Sequence, residues 1–142
     1  MLSRLGCLVD TLGAGRRMEK AKRGFASKSR ADIRFHATRR VQFRYREAGR
    51  GPTVVFSADP PATVEAYDAV IAALAPDWRV IVFELPAMGF SPARASFDFS
   101  FRQTADEIAE FLRAVAGERA VLAFSCAAGL AAVDIAARHR DL

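Results

Sequence analysis

Cysteine and histidine are both scarce in this chain. There are two of each: Cys7 and Cys126, His36 and His139. Two widely separated cysteines make no disulfide framework, and nothing spaces them as metal ligands. No metal site is therefore expected, and a reducing compartment, the cytoplasm, is the simplest location. No apolar run approaches the roughly 18 residues of a membrane span. Internal repeats and low-complexity tracts are missing too. Neither G-x-G-x-x-G nor G-x-x-x-x-G-K-[ST] occurs in the loops, so binding of nucleotide phosphates has no support.

What remains has ordinary globular composition: 142 residues, 51% hydrophobic and 26% charged. That is enough for one domain with its own core. The net charge of +5 is unevenly spread. Residues 1–40 hold 11 Lys and Arg against 3 Asp and Glu, or +8, and residues 41–142 hold 10 against 13, or −3. The basic character belongs to the N-terminal segment. Residues 1–40 are accordingly expected as a basic, disordered extension. Organelle targeting by residues 1–30 and an arm for nucleic acid or a membrane surface are the alternatives. Met18 is a second possible start. A secretory signal is excluded, because no apolar stretch follows the first arginine. No specific nucleic-acid partner is expected.

Beyond residue 40 the pattern alternates between strands and helices. Val41–Glu47 alternates apolar and polar residues, as a half-buried strand does. Residues 48–52 are a turn by composition. Thr53–Phe56 and Val80–Phe83 are continuous apolar runs of the kind buried on both faces of a parallel sheet. Between them, Tyr67, Val70, Ile71 and Leu74 recur at helical spacing, with Thr63 as N-cap. A second helix carries Phe101, Ala105, Ile108, Leu112 and Val115 on one stripe. Ser100 and Gln103 form a capping box at its start, and Gly117 ends it. Val121–Phe124 is another buried-type strand, and residues 127–138 form an Ala-rich helix. Phe97, Phe99, Phe101 and Phe111 are expected to pack in the core or beneath a loop. The fold class is α/β: a mostly parallel sheet with helices on both faces and right-handed crossovers. Ligands of such sheets collect at the carboxyl ends of the strands. Residues 57–61, 85–91 and 125–127 lie there.

Residues 41–142 resemble the N-terminal half of the α/β-hydrolase fold family, which makes them an incomplete α/β-hydrolase-like core. Where members carry His-Gly-x-Pro, this chain has Ser57, Ala58, Asp59 and Pro60. Where members carry Asp-x-Pro-Gly-x-Gly-x-Ser, it has Glu84, Leu85, Pro86, Ala87, Met88, Gly89, Phe90 and Ser91. The Gly-x-Ser-x-Gly elbow corresponds to Phe124, Ser125, Cys126, Ala127 and Ala128. The elbow is a sharp strand-to-helix turn that lifts a nucleophile over the sheet. In the register set by the helix that residue is Cys126, whose thiolate the helix N-terminus favours. The runner-up is Ser125, flanked by the small Ala123 and Ala127. The inert alternative for Cys126 is a small buried apolar residue.

The resemblance implies hydrolysis of an ester, lactone or similar acyl compound without a cofactor. It places the oxyanion-binding N–H groups at Ala127 and Asp59, where the Asp59 carboxylate opposes the developing charge unless it points away. No complete triad can be written. His139 lies about three turns along the helix from the elbow, and His36 precedes the first expected strand. Glu84 and Asp59 could approach the site, although a carboxylate is a poor base for a thiol. The chain is thus expected to be incomplete or inactive alone, with a catalytically dead binding protein or a remnant as the alternative. An edge at Val121–Phe124 is expected to need a second chain or self-association to cover it.

Overall fold

The strands and helices follow the alternation in the sequence. In the computed structural model, Lys20, residues 30–117 and residues 119–142 are described. The sheet and its helices belong to the compact unit Asp32–Leu142. Cys7, Met18 and the targeting and binding-arm readings lie outside the described residues. The strands are β1 (Ile33–Ala37), β2 (Gln42–Ala48), β3 (Thr53–Ala58), β4 (Arg79–Glu84) and β5 (Ala120–Ala123). The helices are α1 (Asp68–Leu74), preceded by a 3-10 turn at Val64–Tyr67, α2 (Phe101–Val115) and α3 (Cys126–Arg138).

The sheet order is β1-β2-β4-β3-β5. β3 pairs in parallel with both β4 and β5, while β1 and β2 run antiparallel. The sheet is therefore mixed, with its parallel part at the β5 side. The apolar runs of β3 and β4 feed two cores, one on each face, as a parallel sheet requires. Val55, Ile81 and Phe83 pack with Phe43 and with Ile108, Phe111 and Leu112 of α2 and Ile135 of α3. Val54, Val80 and Val82 pack with Val64 and Ile71 on the opposite face.

Several details differ from the sequence expectation. β1 lies inside the segment set apart as an extension; Phe35 within it is exposed, so this edge strand carries little apolar signal. Thr63 makes no side-chain cap, and the helix after it opens as a 3-10 turn. Only half of the capping box forms. Ser100 accepts from the Gln103 N–H, while Gln103 turns to the Asp98 N–H. Phe97 and Phe111 are buried, but Phe99 and Phe101 are exposed; Phe101 opens α2, whose buried stripe starts at Ala105.

Among the described residues β5 pairs with β3 alone and forms a sheet edge. Val121 is 55% exposed there, and on the adjoining helix Leu130 and Val133 are 61% and 70% exposed. A hollow of about 750 Å³ runs between α2, β5 and α3, lined by Leu112, Leu122, Ile135 and Leu142. An exposed apolar edge strand invites pairing with another chain. Val121→Lys is expected to lower the associated fraction in light scattering at equal concentration. Its effect on unfolding should stay within about 0.5 kcal/mol, as for an ordinary surface substitution.

Candidate active site

β5 delivers the chain to a sharp turn at the carboxyl edge of the sheet. Ser125 is extended, with φ −109° and ψ 166°, and caps α3 without a side-chain hydrogen bond to it. Cys126 follows with φ 52°. A non-glycine residue in this left-handed region costs about 1–2 kcal/mol. The left-handed turn thus falls on Cys126 and not on Ser125, and Cys126 is exposed. Ala128, two residues on, is small and buried. Phe124, two residues before, is accommodated because its ring packs edge-on against Phe83 at 5.3 Å. Ala127 is the second residue of α3. Its N–H belongs to the first turn, where helix geometry provides no intrahelical acceptor.

Asp59 immediately follows β3, the neighbour of β5. Its carboxylate accepts a short hydrogen bond from the Ser125 hydroxyl and a longer one, 3.4 Å, from Ser57. The Asp59 side chain is therefore turned toward the elbow. The Tyr67 hydroxyl donates to the Ser57 carbonyl at 2.8 Å. Burial raises the pKa of this phenol, and the Asp59 charge adds to the rise.

Glu84 closes β4 and is almost wholly buried, at 1% exposure. Its Oε1 accepts from Arg44 at 2.6 Å and from the Val64 N–H at 3.3 Å, and its Oε2 accepts from the Phe90 N–H at 2.5 Å. So engaged, Glu84 is not a base for Cys126. Gly89 has φ +53°, and a Cβ there would lie 2.5 Å from Glu84 Oε2, so glycine is required where the loop crosses the carboxylate. Ala87, with φ 61°, occupies a left-handed position at the family motif's first glycine. Ser91 is buried and accepts from the Arg44 N–H at 2.8 Å.

The arginines of β2 escaped the sequence reading. The alternation there implied a solvated polar face, yet Arg44 and Arg46 are each only 4% exposed. Arg44 bonds Glu84 and Glu65 and lies over the Phe90 ring at 4.9 Å. Arg46 bonds Asp32, Asp68 and the Val64 carbonyl. Buried arginine is tolerated only when paired in this way. The available signal was the supply of acids on neighbouring elements. Burial disfavours charge on both Arg44 and Glu65. Their mutual hydrogen bonds prevail: the Arg44 pKa is raised, and that of Glu65 is lowered to about 2, with help from Thr63.

Neither histidine lies at the elbow. His139 follows α3, whose 13 residues put it about 20 Å from Cys126. There it contacts Asp106 at 3.2 Å and Arg113 at 3.1 Å. His36 is in β1, with its ring 6.1 Å from that of Phe111.

At the carboxyl edge of the sheet a left-handed residue, Cys126, thus stands between a parallel strand and a helix. The family model of the alpha/beta hydrolase fold matches residues 60–140, more than half of the chain. This chain belongs to the α/β-hydrolase fold family. Solved structures similar to it include Cfl2 from Burkholderia cenocepacia, 27% identical, with a TM-score of 0.69 over 77% of this chain and 37% of that one. A loop variant of the haloalkane dehalogenase DbeA from Bradyrhizobium elkanii is 23% identical, with a TM-score of 0.68 over 78% of this chain and 37% of its own. The Cif epoxide hydrolase from Acinetobacter nosocomialis is 23% identical, with a TM-score of 0.59 over 66% and 31%. The chain thus spans 31–37% of the length of these three relatives. No curated protein matches it. Among the described residues no helix is long and apolar enough to cross a membrane.

Two outcomes are expected from the buried network. Arg44→Met should destabilise by about 3–5 kcal/mol in urea unfolding, because it strands the Glu84 charge; adding Glu84→Gln should restore part of the loss. Glu65 has a folded pKa of about 2 against an ordinary 4.5. Its contribution is complete above pH about 4.5 and is lost as pH falls toward 2. Unfolding free energies measured across that window should therefore fall less steeply for Glu65→Gln than for the wild type.

Proposed function

We propose that this chain carries the nucleophile-bearing part of a hydrolase for an ester, lactone or similar acyl compound, with Cys126 as the acyl acceptor and no cofactor. The supporting observation is the left-handed backbone of an exposed Cys126 between β5 and α3. The Cys126 sulfur, at the N-terminus of α3, attacks the acyl carbon as the thiolate. The S–C bond forms, the C–O bond to the leaving group breaks, and the alcohol departs with a proton from solvent. The Ala127 N–H, with the backbone N–H of Asp59 as second donor, would take the developing oxyanion. Ser125 is the lesser nucleophile, since its backbone is extended and the left-handed turn falls on the next residue.

Hydrolysis of the thioester requires a base to activate water, and both histidines of the chain stand elsewhere. The 142-residue chain should therefore be acylated once and turn over slowly. With p-nitrophenyl acetate, mass spectrometry is expected to show one acetyl group on the peptide containing Cys126, and Cys126→Ala should abolish it. Steady release of many equivalents of p-nitrophenol would contradict the single-turnover reading. Labelling equal to the unfolded protein would favour the second reading, a hydrolase-fold protein that binds without catalysis. The Asp59 carboxylate facing the elbow favours that second reading, because it opposes an oxyanion. The cytoplasm is the proposed location.

A further inference from the structure

One charged group beside Cys126, the Asp59 carboxylate, has no countercharge among the described residues. The Asp59 carboxylate is held against Ser125, the residue before Cys126, by the Ser125 and Ser57 hydroxyls. Hydroxyl donors fix its position without supplying a positive charge. The buried cations on β2 are committed elsewhere: Arg44 to Glu65 and Glu84, and Arg46 to Asp32 and Asp68. Among the described residues Asp59 takes part in no ion pair. It is half-buried, so solvent screens it less than a fully exposed carboxylate.

We infer that Asp59 determines the charge preference of the Cys126 site, favouring acyl compounds that carry a positive charge near the reacting carbonyl and disfavouring anionic ones. This rests on Cys126 being the acyl acceptor. A cationic group, an ammonium or guanidinium, would pair with the carboxylate and draw it away from the oxyanion position. The substrate would then supply the neutralisation that the described residues do not. The same placement that weakens the site for neutral esters suits it to cationic ones.

The test uses the full chain with Cys7→Ser, so that Cys126 is the remaining thiol. Acylation rates are measured with three p-nitrophenyl esters whose acyl groups are trimethylammonium-bearing, neutral or carboxylate-bearing, each normalised to a free thiol. Unit charges a few ångströms apart in a watery site should give a cation-to-anion ratio of about tenfold. Asp59→Asn should bring that ratio close to one, and Asp59→Glu should keep it. Raising the salt to about 1 M should shrink it in the unmutated protein, a readout that needs no Asp59 variant. A ratio unchanged in Asp59→Asn, or insensitive to salt, overturns the inference while leaving acylation at Cys126 standing. A parallel series with cationic and anionic methanethiosulfonates, which form a mixed disulfide and release methanesulfinate, reads the local field without acyl transfer. If those reagents show the Asp59-dependent preference but no ester labels Cys126, the proposed function fails and the substrate class falls with it.

Discussion

The buried contact between Arg44 and Glu84 organises the carboxyl edge of the sheet. Both groups are nearly without solvent, so neither could stay charged alone. Each then spends its remaining hydrogen-bonding capacity on a different segment. Glu84 holds the Val64 and Phe90 N–H groups, and Arg44 holds Glu65. The 3-10 turn at residues 64–67 and the loop after β4 are thereby tied to one point. Gly89 is part of the same constraint, since only a residue without a Cβ can pass the carboxylate there. The parallel pairing of β3 with β4 and β5 brings Asp59 and Cys126 to that same edge.

The elements most legible in the sequence were those whose signal is local. β3 and β4 are continuous apolar runs, and α2 has a long periodic stripe and a serine cap that forms. The turn from β5 into α3 was legible as an apolar run that ends in a polar pair and gives way to small residues. Long-range pairing was not. Alternation in β2 reads equally well with the Arg44 face in water or against acids, and only the position of Glu84 and Glu65 decides between them. β1 was hidden for a related reason: its neighbours are basic and Phe35 is exposed, so its strand character depends on pairing with β2. Phe99 and Phe101 show the converse, aromatic residues whose hydrophobicity did not ensure burial.

The carboxyl edge and the β5 edge present different physical situations. At the first, polar groups are satisfied, and each buried side-chain polar atom among the described residues has a partner. At the second, Val121, Leu130 and Val133 face outward beside an apolar hollow. The solved relatives are more than twice as long as this chain, and in a sheet of this kind apolar side chains at β5 suit cover on both faces. We propose a second chain or self-association as that cover. Polar groups are thus satisfied at one end of β5, while among the described residues no strand pairs with its outer side.

The proposed elbow depends on the backbone at Cys126. If its φ of 52° is imposed by the strand-to-helix turn, glycine should be favoured there over any residue with a Cβ. The most direct measurement is the difference in urea-unfolding free energy between Cys126→Gly and Cys126→Ala. Both remove the thiol, so packing of sulfur cancels. The expected result is a glycine variant more stable than the alanine variant by about 1 kcal/mol. An alanine variant more stable by about 1 kcal/mol, as in an ordinary helical turn, would contradict the elbow and with it the assignment of Cys126.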